Sequence, residues 1–321
     1  MNSLEKSILS TLVYYDVLGC PLTGWEIFKY LNRKGDFEVD LNKILNVLDN
    51  GSELSEFINQ KNGIYFLKGR KKIIEQRIER QIISDKKWKK AKRVIRFLQL
   101  IPYIRMIAVS GSLAMNNAKE ESDIDLLIVT RADRIWICRT FTTLFIHLIG
   151  QRRHGNLTKD RFCLNHYITD KSLNIPYKSL YNAQTYAHLV PVWQKRGMYK
   201  KFQKANSWIK EYLVNYPLEQ KGYLTTIKPI SYFQFIKIFR EKIFSTWLGS
   251  VLEYILRKIQ ESKIREEPLT YKPGGRVIFN DKQLEFHPDS PEKKILEKYN
   301  KKMKKLKLEE LSNEKDSGLT I

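Results

Sequence analysis

Apolar side chains recur along this chain with two different periods, and the change from one to the other divides it. Leu4, Ile8, Leu12 and Tyr15 keep helical spacing, and Gly19 and Pro21 end that helix. Thr23 with Glu26 three positions later forms a capping box for a second helix carrying Ile27, Phe28 and Leu31. Leu41 to Leu48 reads as a third helix, stopped by Asn50-Gly51-Ser52. The run from Leu54 to Arg70 then reads as strand, a turn at Lys61-Asn62-Gly63, and strand. Three short helices followed by a hairpin predict a winged-helix-like domain over residues 1–69. Residues 70–99 read as one long basic helix with an apolar seam of Ile74, Ile78, Ile82, Trp88, Ala91, Ile95 and Leu98.

The period shortens beyond Pro102. Ile104 to Val109 is an apolar run ending in small residues, and Ser122 to Thr130 alternates before turning wholly apolar; both are strand signals. A helix follows to Ile149, with Trp136, Thr140, Thr143 and Leu144 expected on the sheet, and Gly150 ends it. Asp160 to Ile168 alternates again as a strand. From Pro176 onward the pattern is mainly helical. Helices are expected over 180–190, closed by Pro191, over 194–215, and over 233–259, after a loop from Gly222 to Ser231. A late hairpin turning at Asn280-Asp281-Lys282 is expected to cover the helical domain, before a charged helix to about Leu311 and a polar tail. The predicted organisation is α+β: a winged-helix-like domain (1–69), a linker helix (70–99), a core that holds the strands (100–175) and a mainly helical C-terminal domain (176–321).

Charge narrows the choice of partners. The chain has 321 residues and a net charge of +22, which favours an anionic partner such as a nucleotide or nucleic acid. The basic helix is the natural phosphate-backbone surface, its alternative being a solvated linker packed on the core. The third helix of the front domain holds Asp40 and Asp49 against Lys43, which argues for packing or a homo-oligomer contact over groove insertion. The three cysteines, Cys20, Cys138 and Cys163, are widely spaced among apolar neighbours and read as buried thiols in a reducing cytoplasm. No signal peptide is expected at the N-terminus. The apolar stretch Ile135 to Ile149 is interrupted by Arg139 and His147, so no membrane span is expected. The helix from Phe233 is amphipathic and basic, and is expected to pack on the preceding helices instead of a membrane surface.

The candidate chemistry lies in the strand pair. Asp123 and Asp125 share one strand face about 7 Å apart, and they repel each other unless a cation sits between them. Carboxylate oxygens suit Mg²⁺ or Mn²⁺, ions that hold phosphates. Gly111 lets a ligand approach the backbone, and the amide groups that follow Ser112 are free to receive a phosphate. Ser122, immediately before the acidic pair, joins Gly111 and Ser112 as a candidate nucleotide contact.

The sequence Ser110-Gly111-Ser112 followed by Ser122-Asp123-Ile124-Asp125-Leu126-Leu127-Ile128-Val129 resembles the nucleotidyltransferase superfamily that includes DNA polymerase beta, over roughly residues 104–168. The layout as a whole looks like a prokaryotic group within that superfamily with a wing-like N-terminal region. The resemblance implies a mixed sheet, two metal ions and attack on the alpha-phosphate of a nucleoside triphosphate. It also implies a third carboxylate on the strand 160–168, where counting places Asn165. An amide is no base and a weak Mg²⁺ ligand, so Asp160, Asp170, Glu120 and Glu121 remain substitutes, or the chain binds a nucleotide without transferring it quickly. Arg152, Arg153 and His154 are expected beside the triphosphate or a nucleic-acid strand, or in a solvated loop. Gln184, Lys195, Lys201 and Asn206 are expected to hold acceptor and base. His166 reads as structural, and His287 as a lone histidine with no partner at ligand spacing. The expected activity is metal-dependent transfer of a nucleoside monophosphate to an unidentified acceptor; the alternative is a catalytically weak or inactive regulator that binds nucleotide or nucleic acid.

Overall fold

Two helices at the front of the chain begin with reciprocal caps. Asn2 Oδ1 accepts from the Glu5 amide at 2.9 Å and Glu5 Oε2 accepts from the Asn2 amide at 2.9 Å, starting α1 (Ser3–Val17). Thr23 and Glu26 repeat the device at α2 (Gly24–Lys29). The computed structural model describes residues 1–51, 53–155, 157–217 and 226–310. Ser52 of the expected turn, residues 222–225 of the expected loop, and Leu311 with the tail after it lie outside the described residues. Strand β1 (Leu22–Thr23), α3 (Leu41–Asn50), β2 (Ile58–Lys61) and β3 (Ile64–Leu67) complete the front. These strands form a small antiparallel sheet of order β1-β3-β2.

The long helix α4 (Ile73–Leu98) follows, then β4 (Ile104–Val109), α5 (Gly111–Ala114), β5 (Ile124–Thr130), α6 (Ile135–Leu148) and β6 (Phe162–Thr169). Next come α7 (Leu180–Ala187), β7 (Val190–Gln194), α8 (Met198–Ala205), α9 (Ser231–Ile243) and α10 (Trp247–Glu266). The described chain closes with β8 (Arg276–Phe279), β9 (Gln283–His287) and α11 (Glu292–Lys305). Six strands build the main sheet in the order β7-β4-β5-β6-β9-β8. Among the described residues, only the β5–β6 strand pair is parallel, so the sheet is mixed.

Strand alternation gives the sheet two apolar faces. Met106, Ala108, Leu127, Val129 and Ile168 meet α1, α7, α8 and α11 in one core. Ile107, Val109, Leu126 and Ile128 meet α4, α6 and α10 in the other. The front domain therefore packs on the layer that covers the sheet, against α7: Tyr15 Oη donates to Gln184 Oε1 at 2.6 Å, and the Tyr30 ring stacks on His188, which caps α7, at 3.5 Å.

Several expectations change. Residues 190–194 form an edge strand, not a helix end, and Pro191 is tolerated there because an edge strand leaves one side unpaired. The late hairpin extends the main sheet through β9 against β6 and does not cover a helical domain. The helix expected over 194–215 is α8 plus a short 3₁₀ turn. In α6, Leu144 points outward while Thr142 is buried. The seam of α4 excludes Ile78 and Ile82, which are exposed, and includes Arg80, Ser84 and Lys87. Gln184 and Asn206 are buried in structural hydrogen bonds, Gln184 to Tyr15, Tyr30 and Asn32, and Asn206 to Leu173 and Ile175. Finally, α9 and α10 turn a stripe outward that includes Phe235, Phe239, Trp247 and Tyr254.

Candidate active site

Asp123 ends a tight loop and Asp125 sits two residues into the same extended run, so both carboxylates point to one side of β5. The loop is held from below by α4. Lys87, buried at 3 % side-chain exposure, donates from Nζ to the Glu120 carbonyl at 2.9 Å and the Ser122 carbonyl at 2.8 Å, and pairs with Asp160. Arg80 donates to the Leu18 and Gly19 carbonyls and to Asn117 Oδ1. These inward-facing cations were invisible in the charge run, where each lysine and arginine looks alike.

Gly111 forms the opposite wall. Its φ of +64° lies in the left-handed region, and a Cβ built there meets Asp125 Oδ2 at 2.5 Å. The missing side chain thus makes room for Asp125 itself. The Ser110 amide donates to the Asp125 carbonyl at 3.0 Å, locking turn to strand. Ser112 is half-buried in the short helix α5.

The third side is formed by β6, and here a bulge changes the outcome. Asp125 pairs with Cys163, but Leu127 pairs with His166, so β6 uses three residues where β5 uses two. The extra residue shifts the phase of the alternation. Cys163 lands beside Asp125, and His166 falls on the same face. One ligand atom from each of Asp123, Asp125 and Cys163 lies within 4.8 Å of the others. Asn165, expected at the third position, is not in this group; its Nδ2 is 3.1 Å from Nδ1 of His287. Counting along an unbulged strand selects the wrong residue.

The electrostatics follow from burial and like charge. Burial, then the Asp123 carboxylate, pushes the Asp125 carboxyl up to about 7. Among the described residues, no Lys or Arg is within ion-pair distance of Asp125. Arg153 instead donates from Nη1 to Asp123 Oδ2 and to Cys163 Sγ, the latter at 3.5 Å. Burial, then Asp125 and Asp123, holds the Cys163 thiol well above the usual range, so it is protonated at neutral pH.

Of the other expected site residues, Arg152 is exposed and Ser122 Oγ accepts from the Lys119 amide at 3.0 Å, bracing the loop. The candidate substitute acids are engaged elsewhere: Asp160 with Lys87, Glu120 with Lys159, and Asp170 with the Ala132 amide. Glu121 is exposed. All three cysteines are buried and free, as their spacing suggests, but Cys163 is no inert core thiol.

A second convergence was not foreseen. His166, Glu285 and His287 each place a ligand atom within 4.8 Å of the others. His287 is therefore not alone; its neighbours come from an adjacent strand and from two residues earlier in its own. Burial pushes both imidazoles down, His287 to about 4.

Residues 89–216 match a family described as the nucleotidyltransferase domain. The chain carries a nucleotidyltransferase domain of the polymerase-beta-like superfamily. The matched stretch contains the Gly111 turn, both aspartates, Cys163 and the strands β4 to β7. The front domain and the late hairpin lie outside it. No curated protein and no solved structure matches the chain. At the Gly111 turn of this domain, the candidate metal ligands are two carboxylates and a thiol. No helix among the described residues is long and apolar enough to cross a membrane.

Proposed function

We propose that the nucleotidyltransferase domain binds a nucleoside triphosphate with Mg²⁺ or Mn²⁺ at Asp123 and Asp125 and transfers the nucleoside monophosphate to an acceptor. The observation that carries this reading is the convergence of two carboxylates on the Gly111 turn, one of them without a cationic partner. Their oxygen donors fit one hard divalent cation. Such an ion, when bound, neutralises phosphate charge and favours departure of pyrophosphate. The third donor does not fit a second hard ion, because a protonated thiol is a soft and poor ligand for it. Nor does Cys163 serve as general base for the acceptor hydroxyl.

The chain's own residues divide the remaining work. Asp125, held against Gly111, orients the nucleotide-bound cation. Arg153 neutralises Asp123 and stands beside the position a triphosphate occupies. Gly111 and Ser112 line the phosphate side, and Ser122 keeps the loop in register. Arg152 faces solvent, where it meets an incoming polyanion. The winged-helix-like front, clasped to α7 by Tyr15 and Gln184, acts as a packing module, and the exposed cations of α4 contact nucleic acid.

A second reading is a nucleotide-binding regulator without turnover. The thiol at the third position favours it. Calorimetric binding of each nucleoside triphosphate with Mg²⁺, followed by transfer assays using alpha-labelled nucleotide, separates the two. Binding with label transfer that is lost in Asp125→Asn supports the enzyme. Binding without transfer supports the regulator, and absence of binding overturns both.

A further inference from the structure

The cluster of His166, Glu285 and His287 joins strands that are far apart in sequence. His166 on β6 stands directly across from Glu285 on β9, and His287 follows two residues later on the same face. His166 Nε2 is 3.8 Å from Glu285 Oε2, and His287 Nε2 is 3.7 Å from Glu285 Oε1. Each imidazole has a polar neighbour on its other nitrogen: Tyr186 Oη is 3.5 Å from His166 Nδ1, and Asn165 Nδ2 is 3.1 Å from His287 Nδ1. Glu285 is fixed by Arg276 Nε, donating to Oε1 at 2.7 Å, and by Gln283 Nε2, donating to Oε2 at 2.8 Å. Each carboxylate oxygen keeps a further lone pair. His166 is 6 % exposed, and its Nε2 has no hydrogen-bond partner although it is buried and aimed at the carboxylate.

A buried ring nitrogen without a partner is costly in a natural core. Two imidazoles and one carboxylate are the donor set of zinc-class sites. With Nε2 on the metal, the His166 Nδ1–H donates to Tyr186 Oη, and the His287 Nδ1–H donates to Asn165 once that amide is turned to present Oδ1. The geometry points to a second metal site in this chain: His166, Glu285 and His287 bind one divalent transition ion of the zinc class. Coordination remains open on the side of the half-buried His287. The site ties the C-terminal hairpin to β6, beside Cys163, and it stands whether or not the domain transfers nucleotides. Asn165 becomes a positioning residue for the His287 ring.

The test uses the full chain carrying Asp123→Asn, Asp125→Asn and Cys163→Ser, so that the other cluster is silent. Metal-stripped protein is titrated with Co²⁺ as a spectroscopic probe and with Zn²⁺ against a chromophoric chelator. One ion per chain is expected, with visible cobalt bands and no thiolate charge-transfer band. His287→Gln abolishes the bands, and Asn165→Leu weakens Zn²⁺ by about 10- to 100-fold. Folding of each variant is checked by circular dichroism. In the His-intact background, which needs no histidine variant, absence of stoichiometric Zn²⁺ binding overturns the site. Binding that survives His287→Gln unchanged overturns it as well.

A separate observation concerns α9 and α10. Phe235, Phe239, Trp247 and Tyr254 are 69, 59, 72 and 60 % exposed, on a face continued by Ile238, Leu248 and Ile255. Between residues 231 and 260 the only carboxylates are Glu241 and Glu253, and both are half-buried: Glu241 pairs with Arg105, and Glu253 accepts from the Trp136 and Ile137 amides. Over α9 and α10 the exposed charges are Arg240, Lys242, Lys258, Lys263 and Arg265 against the one exposed carboxylate Glu266, which accepts from Ser262, so the balance is cationic. A second copy of this face would bring cation against cation. We infer that the stripe docks on an anionic lipid surface, aromatic rings in the headgroup layer and cations on the phosphates.

Sedimentation with phosphatidylserine-rich and pure phosphatidylcholine vesicles tests it. Binding to the anionic vesicles alone, weakened by salt and about tenfold or more by Trp247→Glu, is expected. No vesicle binding overturns the inference, as does a dimer in analytical ultracentrifugation that Trp247→Glu dissociates.

Discussion

The Asp125 carboxylate occupies the space that a side chain on residue 111 would need: a Cβ there falls 2.5 Å from Oδ2. Gly111→Ala combines that collision with a φ of +64° that L-residues seldom adopt. The variant is expected to lose about 1–3 kcal/mol of stability. It is also expected to weaken Mg²⁺-nucleotide binding by more than a wild-type-like fold would explain. Thermal unfolding and calorimetry on the same preparation read both quantities, and an unchanged affinity would contradict the role of the turn.

Cys163 holds the position where the superfamily pattern leads one to expect a third acid. Cys163→Asp should therefore raise the rate of label transfer, on the order of a hundredfold, with the larger gain at pH above neutrality. Single-turnover kinetics with alpha-labelled nucleotide would show it. A slower variant with intact nucleotide binding would mean that the thiol has a different task.

Lys87 is a lysine at 3 % side-chain exposure whose donors fasten the loop before Asp123. Lys87→Ala leaves two carbonyls and Asp160 without their cation. Because Asp160 is 35 % exposed, the cost is reduced from that of a fully buried pair to about 2–3 kcal/mol. Denaturant unfolding measures this, and Mg²⁺ affinity should fall in parallel as the loop loosens.

The His188 contribution to stability should decline in mild acid, opposed by Asp125, whose raised carboxyl takes up a proton in the fold over the same range. Burial pushes the His188 imidazole down to about 3, against an ordinary value near 6.5. Between those values the unfolded chain binds a proton that the folded chain refuses, so unfolding is favoured as pH falls below about 6.5 and is indifferent above it. The slope from this one group reaches about 1.4 kcal/mol per pH unit. His166 and His287 are lowered in the same sense and add to it. Urea unfolding from pH 7.5 down to 5 should show a shallower decline for His188→Gln than for wild type. An equal slope would show that His188 is not held neutral.

The acidic pair, the Gly111 turn and the capping boxes were legible because each depends on residues close in sequence. Thr23 and Glu26, or Asp123 and Asp125, fix their relation by spacing alone. What escaped depended on contacts across the sheet. The bulge in β6 is set by how that strand lies between β5 and β9, and it moved the third site position from Asn165 to Cys163. Of the partners of His287, His166 lies on the neighbouring strand, and Glu285, two residues earlier, joins them only because β9 pairs with β6. Pro191 was read as a helix stop because an edge strand cannot be recognised before its neighbours are known. The basic run of α4 concealed Arg80 and Lys87, whose charges point inward because carbonyls from distant loops await them.

The order β5-β6-β9 in the main sheet has a practical corollary for anyone trimming this protein. A fragment cut to the recognised stretch, residues 89–216, would strip β9 from β6 and expose that central strand as a raw apolar margin with unpaired amides. Such a piece should precipitate or polymerise through that margin, so expression for assay must run through the C-terminal hairpin.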